Sequence, residues 1–138
     1  SGIEQLNLKN YIEKNSLSKI VKITNFMSNP FRYMKQAELF ILTSIYEGLP
    51  NVLLEAQGLK KFIISSNCPT GPREILLNGK AGFLFSIRNE NELSKKISAY
   101  YKNKKKLNKM INLGYKNIDR FDGKKNLLKY YNLINNYL

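Results

Sequence analysis

The chain has 138 residues, 43% hydrophobic and 12% aromatic, enough for one core of ordinary domain size. It carries 23 basic and 10 acidic residues, a formal net charge of +13, with one cysteine and no histidine. This composition excludes an internal disulfide, a Cys–His or Ser–His–Asp nucleophile and a histidine-ligated metal.

No apolar run approaches the ~20 residues of a membrane-spanning helix. The opening residues do not read as a secretory leader. The lone Cys68 suits a reducing compartment, so the expected location is cytoplasmic. Without a histidine near it, Cys68 reads as a small loop residue and not as a catalytic thiol.

In chain order, Leu8, Tyr11 and Ile12 give residues 2–15 a short helical face. The alternation Ile20-Val21-Lys22-Ile23-Thr24 predicts a strand, followed by a loop over 25–29. Pro30 opens a short helix through Gln36, with Asn29 as its cap. The run Leu39 to Thr43 predicts a buried strand, and a helix is expected over 52–60 with Asn51 as N-cap. Phe62 to Ser66 is the third strand. The loop Asn67 to Pro72 is rich in turn residues. A short helix over 73–77, a turn at Asn78-Gly79 and a fourth strand, Ala81 to Phe85, follow.

Beyond residue 90 the pattern is helical and basic. Three apolar stripes are expected to face a core: Leu93, Ile97, Tyr100 and Tyr101; then Leu107, Met110 and Ile111; then Leu127, Tyr131, Ile134 and Leu138. The lysine run Lys102 to Lys106 reads as a solvated end between two helices. Strands alternating with helices over short connections predict an α/β domain spanning 1–138. Its sheet would be Rossmann-like and parallel, with helices on both faces and a helical C-terminal tail. Ligands of such sheets bind beyond the C-terminal strand ends.

The stretch Glu47-Gly48-Leu49-Pro50-Asn51-Val52-Leu53-Leu54-Glu55 sits at one such end. A strand, a tight loop and a helix N-terminus present free amides and a helix dipole that favour an anion. Gly48 permits close backbone approach. Glu55 lies one turn into the helix, and a carboxylate is an acceptor only, suited to paired sugar hydroxyls. The local chemistry thus suggests phosphate on the amides and sugar hydroxyls on the two carboxylates.

Ala37-Glu38-Leu39-Phe40-Ile41-Leu42-Thr43-Ser44, then Glu47-Gly48-Leu49-Pro50-Asn51 and Glu55-Ala56, resembles the donor-site motif of family-4 retaining glycosyltransferases of GT-B fold, with its two glutamates separated by seven residues. The loop Ser65 to Leu76 and the segment Gly79 to Phe85 resemble the same family in the right order. The resemblance implies a donor-binding C-terminal half. Glu47 would stand by the sugar and proximal phosphate, and Glu55 would accept from ribose hydroxyls. Gly48, Leu49, Pro50 and Asn51 would supply backbone contacts, Thr70 and Gly71 would line the sugar or phosphate pocket, and Arg73 would meet phosphate. Asn25 and Phe26 occupy the loop where the family docks its base. Metal independence is implied, and the lack of an Asp-x-Asp pair agrees; the nucleotide-sugar is a substrate, so no cofactor is expected.

The implied partners are a nucleotide-sugar donor, a UDP-sugar by resemblance, and a surface glycan or lipid-linked saccharide acceptor. In the family, two further strands open the donor half and an acceptor domain precedes it. The expectation is therefore a piece of a longer enzyme, with the N-terminal domain missing and no sugar transfer by the piece alone. Residues 70–138 hold fifteen basic and five acidic residues, against eight and five in 1–69. That asymmetry suits solvated helix faces or contact with an anionic membrane at its cytoplasmic side. The alternative is a basic module for nucleic acid or another polyanion; no nucleic-acid motif appears, so nucleic acid is not an expected partner.

Overall fold

The computed structural model describes residues 4–137. Its elements run Gln5–Lys14 (α1), Phe31–Gln36 (α2), Leu39–Leu42 (β1), Asn51–Gly58 (α3), Phe62–Ser66 (β2), Pro72–Ile75 (α4), Phe83–Phe85 (β3), Glu90–Asn117 (α5), a 3-10 turn Ile118–Phe121 and Gly123–Asn135 (α6). Contacts divide the chain into two compact units, Ser1–Arg32 and Tyr33–Leu138, where the sequence reading treats it as one domain.

In the second unit the sheet is built on β2, buried at every position. It pairs in parallel with β1 on one side and β3 on the other. Leu39 stands opposite Phe62, Ile41 opposite Ile64, and Ile64 opposite Phe83. Strand side chains alternate, so this register sorts the apolar residues onto two faces. One face carries Phe62, Ile64 and Phe85 with Leu39, Ile41 and Phe83, and packs under Leu93, Ile97, Tyr100 and Leu107 of α5. The other carries Ile63 with Phe40, Leu42 and Leu84, and packs under Leu53 and Ala56 of α3, Ile75 of α4, the adjacent Leu76, and Met34 of α2. Helices thus cover both faces of a parallel sheet, as expected. Phe62 meets Phe83 edge-on at 4.9 Å and stacks on Tyr100 at 5.1 Å. The Tyr100 hydroxyl donates to the Glu38 carbonyl at 2.9 Å, giving a buried ring a partner for its polar tip.

Four strands were expected, and the described residues form three. The amides of Ile20 and Val21 both donate to the Leu17 carbonyl, which draws the expected strand's start into a turn. Residues 21–27 then run without regular structure. Ile20 and Val21 are exposed, so the alternation buries no face. In the same unit, Gln5 Nε2 donates to Asn25 Oδ1 at 3.3 Å. The Asn29 side chain accepts from the Phe31 amide at 3.2 Å, the expected cap.

Asn51 is not the cap of α3. Pro50 holds that place with extended backbone, and Asn51 is the first helical residue. The helix closes two residues before Lys60. Lys60, at φ 52°, donates its amide to the Gln57 carbonyl and Lys61 donates to that of Ala56, a Schellman ending.

The break in α5 falls at Asn103 (φ −127°, ψ 16°), inside the lysine run, so two helical arms do meet there. The third stripe departs from expectation. Leu127, Tyr131 and Ile134 are exposed, and α6 has no buried residue; Leu138 lies outside the described residues.

The start of α5 is set by two side chains. Asn89 Oδ1 accepts from the Glu92 amide at 2.9 Å, and Glu92 Oε2 accepts from the Ser86 amide at 2.8 Å. That Ser86 N–H, aided by the charges of Lys96 and Lys95, holds the Glu92 carboxyl below the usual glutamate range. A carboxyl depressed in the folded state adds stability above its unfolded pKa and loses it as pH falls through the folded value. Urea unfolding of Glu92→Gln is therefore expected to show a deficit near neutral pH that closes in acid, below the ordinary glutamate range. Asn89→Ala is expected to cost about 1 kcal/mol across that whole span.

Candidate functional site

Parallel pairing brings the C-terminal ends of β1 and β2 to one edge of the sheet. The loops that leave those ends are joined by hydroxyl bonds and by a close backbone approach. Ser66 Oγ, buried at the end of β2, donates to the Ser44 carbonyl at 2.6 Å. Thr70 Oγ1 donates to the Glu47 carbonyl. Gly71 is buried with φ 84° and ψ −70°. A Cβ added there would overlap the Gly48 carbonyl oxygen and Pro50 Cδ. Only glycine fits both the dihedral and the gap.

The sequence-predicted residues fall into three groups. Glu47, Gly48, Pro50, Thr70 and Gly71 are brought together by these contacts. The Glu47 carboxylate is half-buried and accepts from Ser44 Oγ at 2.6 Å through Oε1. Leu49 is exposed beside them.

Asn51 and Glu55 form the second group, one turn apart on the face of α3 opposite buried Leu53, Ala56 and Gln57. Asn51 is exposed and Glu55 half-buried. Neither α3 nor α4 has a side-chain cap. The Leu53 amide turns back to the Pro50 carbonyl, and the amides of Asn51 and Val52 lack intrahelical acceptors. Arg73 starts beside this edge, its Nε donating to Asn67 Oδ1 at 3.1 Å. Its neighbour Glu74 turns elsewhere: its carboxylate lies 4.0 Å from Arg120 and its carbonyl accepts from Arg120 at 3.2 Å.

Asn25 and Phe26 form the third group, in the unit Ser1–Arg32. The Asn25 side-chain oxygen Oδ1 accepts from Gln5, and Phe26 is 96% exposed.

Cys68 is buried with its thiol 3.9 Å from the Thr70 carbonyl, a packed loop residue. Among the described residues no three His, Cys, Asp or Glu side chains gather in a way that could hold a metal ion. Sequence reasoning missed Ser44, Ser66 and Asn67. The signal was present as a hydroxyl or amide at the last position of a strand or just past it, yet nothing in the sequence pairs those positions.

Gly71→Ala tests the approach of the two loops. The substitution forces a side chain into a dihedral that L-residues avoid and into the Gly48–Pro50 backbone. Thermal unfolding is expected to show a loss of about 3 kcal/mol. Gly48→Ala, where an added Cβ meets nothing within 4 Å, is expected to cost less than about 1 kcal/mol.

The sequence pattern of the family described as glycosyl transferases group 1 matches residues 1–117. An O-antigen biosynthesis glycosyltransferase, WclY, of Escherichia coli is 30% identical over 99% of this chain and 37% of its own length. The N-acetylgalactosamine-N,N'-diacetylbacillosaminyl-diphospho-undecaprenol 4-alpha-N-acetylgalactosaminyltransferase of Campylobacter jejuni is 29% identical over 75% of this chain and 31% of its own. The crystal structure of HepE of Anabaena in complex with UDP superposes with a TM-score of 0.83 at 20% identity, covering 98% of this chain and 38% of that one. That likeness bears out the expected fold, the C-terminal half of a GT-B architecture. The chain spans well under half the length of each of these proteins. Among the described residues no helix is long and apolar enough to cross a membrane. The chain belongs to the group 1 glycosyltransferase family.

Proposed function

We propose that this chain is the nucleotide-sugar-binding half of a retaining glycosyltransferase. The donor is a UDP-sugar, and the acceptor is a growing surface glycan or a lipid-linked saccharide. The observation that carries this reading is the coupled pair of loops at the C-terminal sheet edge. They hold Glu47 beside the uncapped start of α3, one turn before Glu55.

Each part has a chemical task in this reading. The free amides at the start of α3 receive the donor's phosphates, which are the leaving group. Arg73, steadied by Asn67, adds a charge-assisted partner for them. Glu55, an acceptor only, takes the ribose hydroxyls. Thr70 and Gly71 close the pocket wall. Transfer breaks the bond between the anomeric carbon and the phosphate oxygen and builds positive charge on that carbon. The Glu47 carboxylate stabilises that charge electrostatically. The acceptor hydroxyl forms the new bond and gives up its proton to the departing diphosphate oxygen, which has taken the electron pair of the broken bond.

The chemistry proceeds without a metal. The names of the O-antigen and diphospho-undecaprenol relatives support the acceptor class. The basic C-terminal half suits work at the cytoplasmic face of an anionic membrane.

Titration of labelled protein with UDP and UDP-sugars, followed by NMR, tests this reading. Saturable shifts are expected at residues 47–55 and 67–71, with affinity on the order of millimolar. Glu55→Ala should abolish them, and EDTA should leave them unchanged. Shifts confined to the lysines of α5 and α6, insensitive to Glu55→Ala and erased by salt, would instead identify a polyanion-binding module.

A further inference from the structure

We propose that Ser44, held by Ser66, is a positioning residue that presets the Glu47 carboxylate for the sugar of the donor. This rests on the donor-site reading above and adds to it two residues that it leaves without a role. The geometry is a short relay. Ser66 is the last residue of β2, 1% exposed, and its Oγ donates to the Ser44 carbonyl at 2.6 Å. Ser44 Oγ in turn donates to Glu47 Oε1 at 2.6 Å. Thr70 Oγ1 fixes the backbone of the same glutamate by donating to its carbonyl. Glu47 is therefore held twice, by its main chain and by one carboxylate oxygen.

The chemical consequence lies in the oxygen left over. An ionised carboxylate has two oxygens and about four acceptor positions. Ser44 occupies one position on Oε1, which selects a side-chain rotamer and leaves Oε2 to the ligand. A glutamate on an exposed loop otherwise samples many rotamers, and binding would have to order it. The relay does that ordering in advance. The order comes from the sheet itself, because Ser66 lies in the central strand. A hydroxyl is the group such a task requires. It donates without adding charge beside a carboxylate, and at three residues' separation its short stem reaches back across the loop. The phosphate and ribose contacts assigned above do not pass through Glu47. The relay therefore acts on recognition of the sugar and leaves recognition of UDP alone.

That division makes the test selective. Ser44→Ala and Ser44→Thr are compared in this chain by two readouts. The first is the side-chain dynamics of Glu47 without ligand, from carbon-detected relaxation and three-bond couplings. Ser44→Ala is expected to release Glu47 into several rotamers, and Ser44→Thr, which keeps the hydroxyl, to retain one. The second readout is affinity for UDP and for the UDP-sugar that the wild type prefers. Ser44→Ala is expected to weaken the UDP-sugar by roughly 3- to 10-fold while UDP changes by less than about 2-fold. Ser44→Thr should restore the difference. Ser66→Ala should move both readouts in the same direction by less.

Glu47 rotamers unchanged in Ser44→Ala would overturn the proposal. So would equal weakening of UDP and UDP-sugar, which marks a general loosening of the loop. Failure of the wild type to bind any nucleotide-sugar overturns the donor-site reading instead, and is told apart by the wild-type titration alone.

Discussion

Parallel pairing of β2 with a strand on each side is the constraint from which the rest of the Tyr33–Leu138 unit follows. A strand with both edges paired and both faces covered buries every side chain; Phe62, Ile63 and Ile64 are apolar, and the hydroxyls of Ser65 and Ser66 at its end both donate to backbone carbonyls. Parallel neighbours need crossover connections, and those connections become α3 and α4 on one face. The opposite face is left for α5, whose Tyr100 stacks on Phe62. Parallel pairing also sends every strand's C-terminal end to the same edge. The loops carrying Glu47 and Thr70 are neighbours for that reason alone.

Once neighbours, those loops are held by contacts of a different kind. Gly71 lies against Gly48 and Pro50 without room for a methyl group, and two hydroxyls, those of Ser66 and Thr70, cross between the strand ends. Behind them, Gln57 ties the helices. It is 3% exposed, its Nε2 donates to the Ile75 carbonyl at 3.2 Å, and its side chain lies where a Cβ on Gly114 of α5 would stand. Its Oε1 is buried without a protein partner among the described residues, so only one end of the amide repays its burial. The helix carrying Glu55 is thus joined both to the helix that starts beside Arg73 and to α5. Glu47, Glu55, Thr70, Gly71 and Arg73 thus belong to one packed unit.

The charge of the chain plays little part in that packing. Lys104 meets Glu38 at 2.7 Å and Lys125 pairs with Asp119, yet all four side chains are well exposed. Such pairs add little to stability in water. The lysine cluster at the break in α5 stands in solvent, leaving the excess charge free to act on what approaches the protein.

What the sequence determined by itself is what local pattern controls. Phe62–Ser66 was legible to the residue, because a run of five apolar and small residues between lysines and a turn admits little else. From residue 31 on, the order of strands and helices, the loop at Glu47 to Pro50 and the first two stripes of the C-terminal helices were legible for the same reason, apart from Tyr101, which is exposed. Residues 20–24 show the limit. Alternation says that a segment can pair, but a ladder needs a partner, and the partner is a tertiary fact. The cap of α3 fell to Pro50 in place of Asn51, on a loop whose backbone packs against Gly71, a contact that local pattern does not carry. The apolar stripe of α6 has the periodicity of a core helix, yet periodicity does not supply a surface to cover it. Ser44 and Ser66, 22 residues apart, became one relay only when the register of β1 on β2 set their strand ends side by side. Short-range periodicity is written in the chain, whereas the meeting of distant hydroxyls, carbonyls and glycines depends on the three-dimensional register that packing selects.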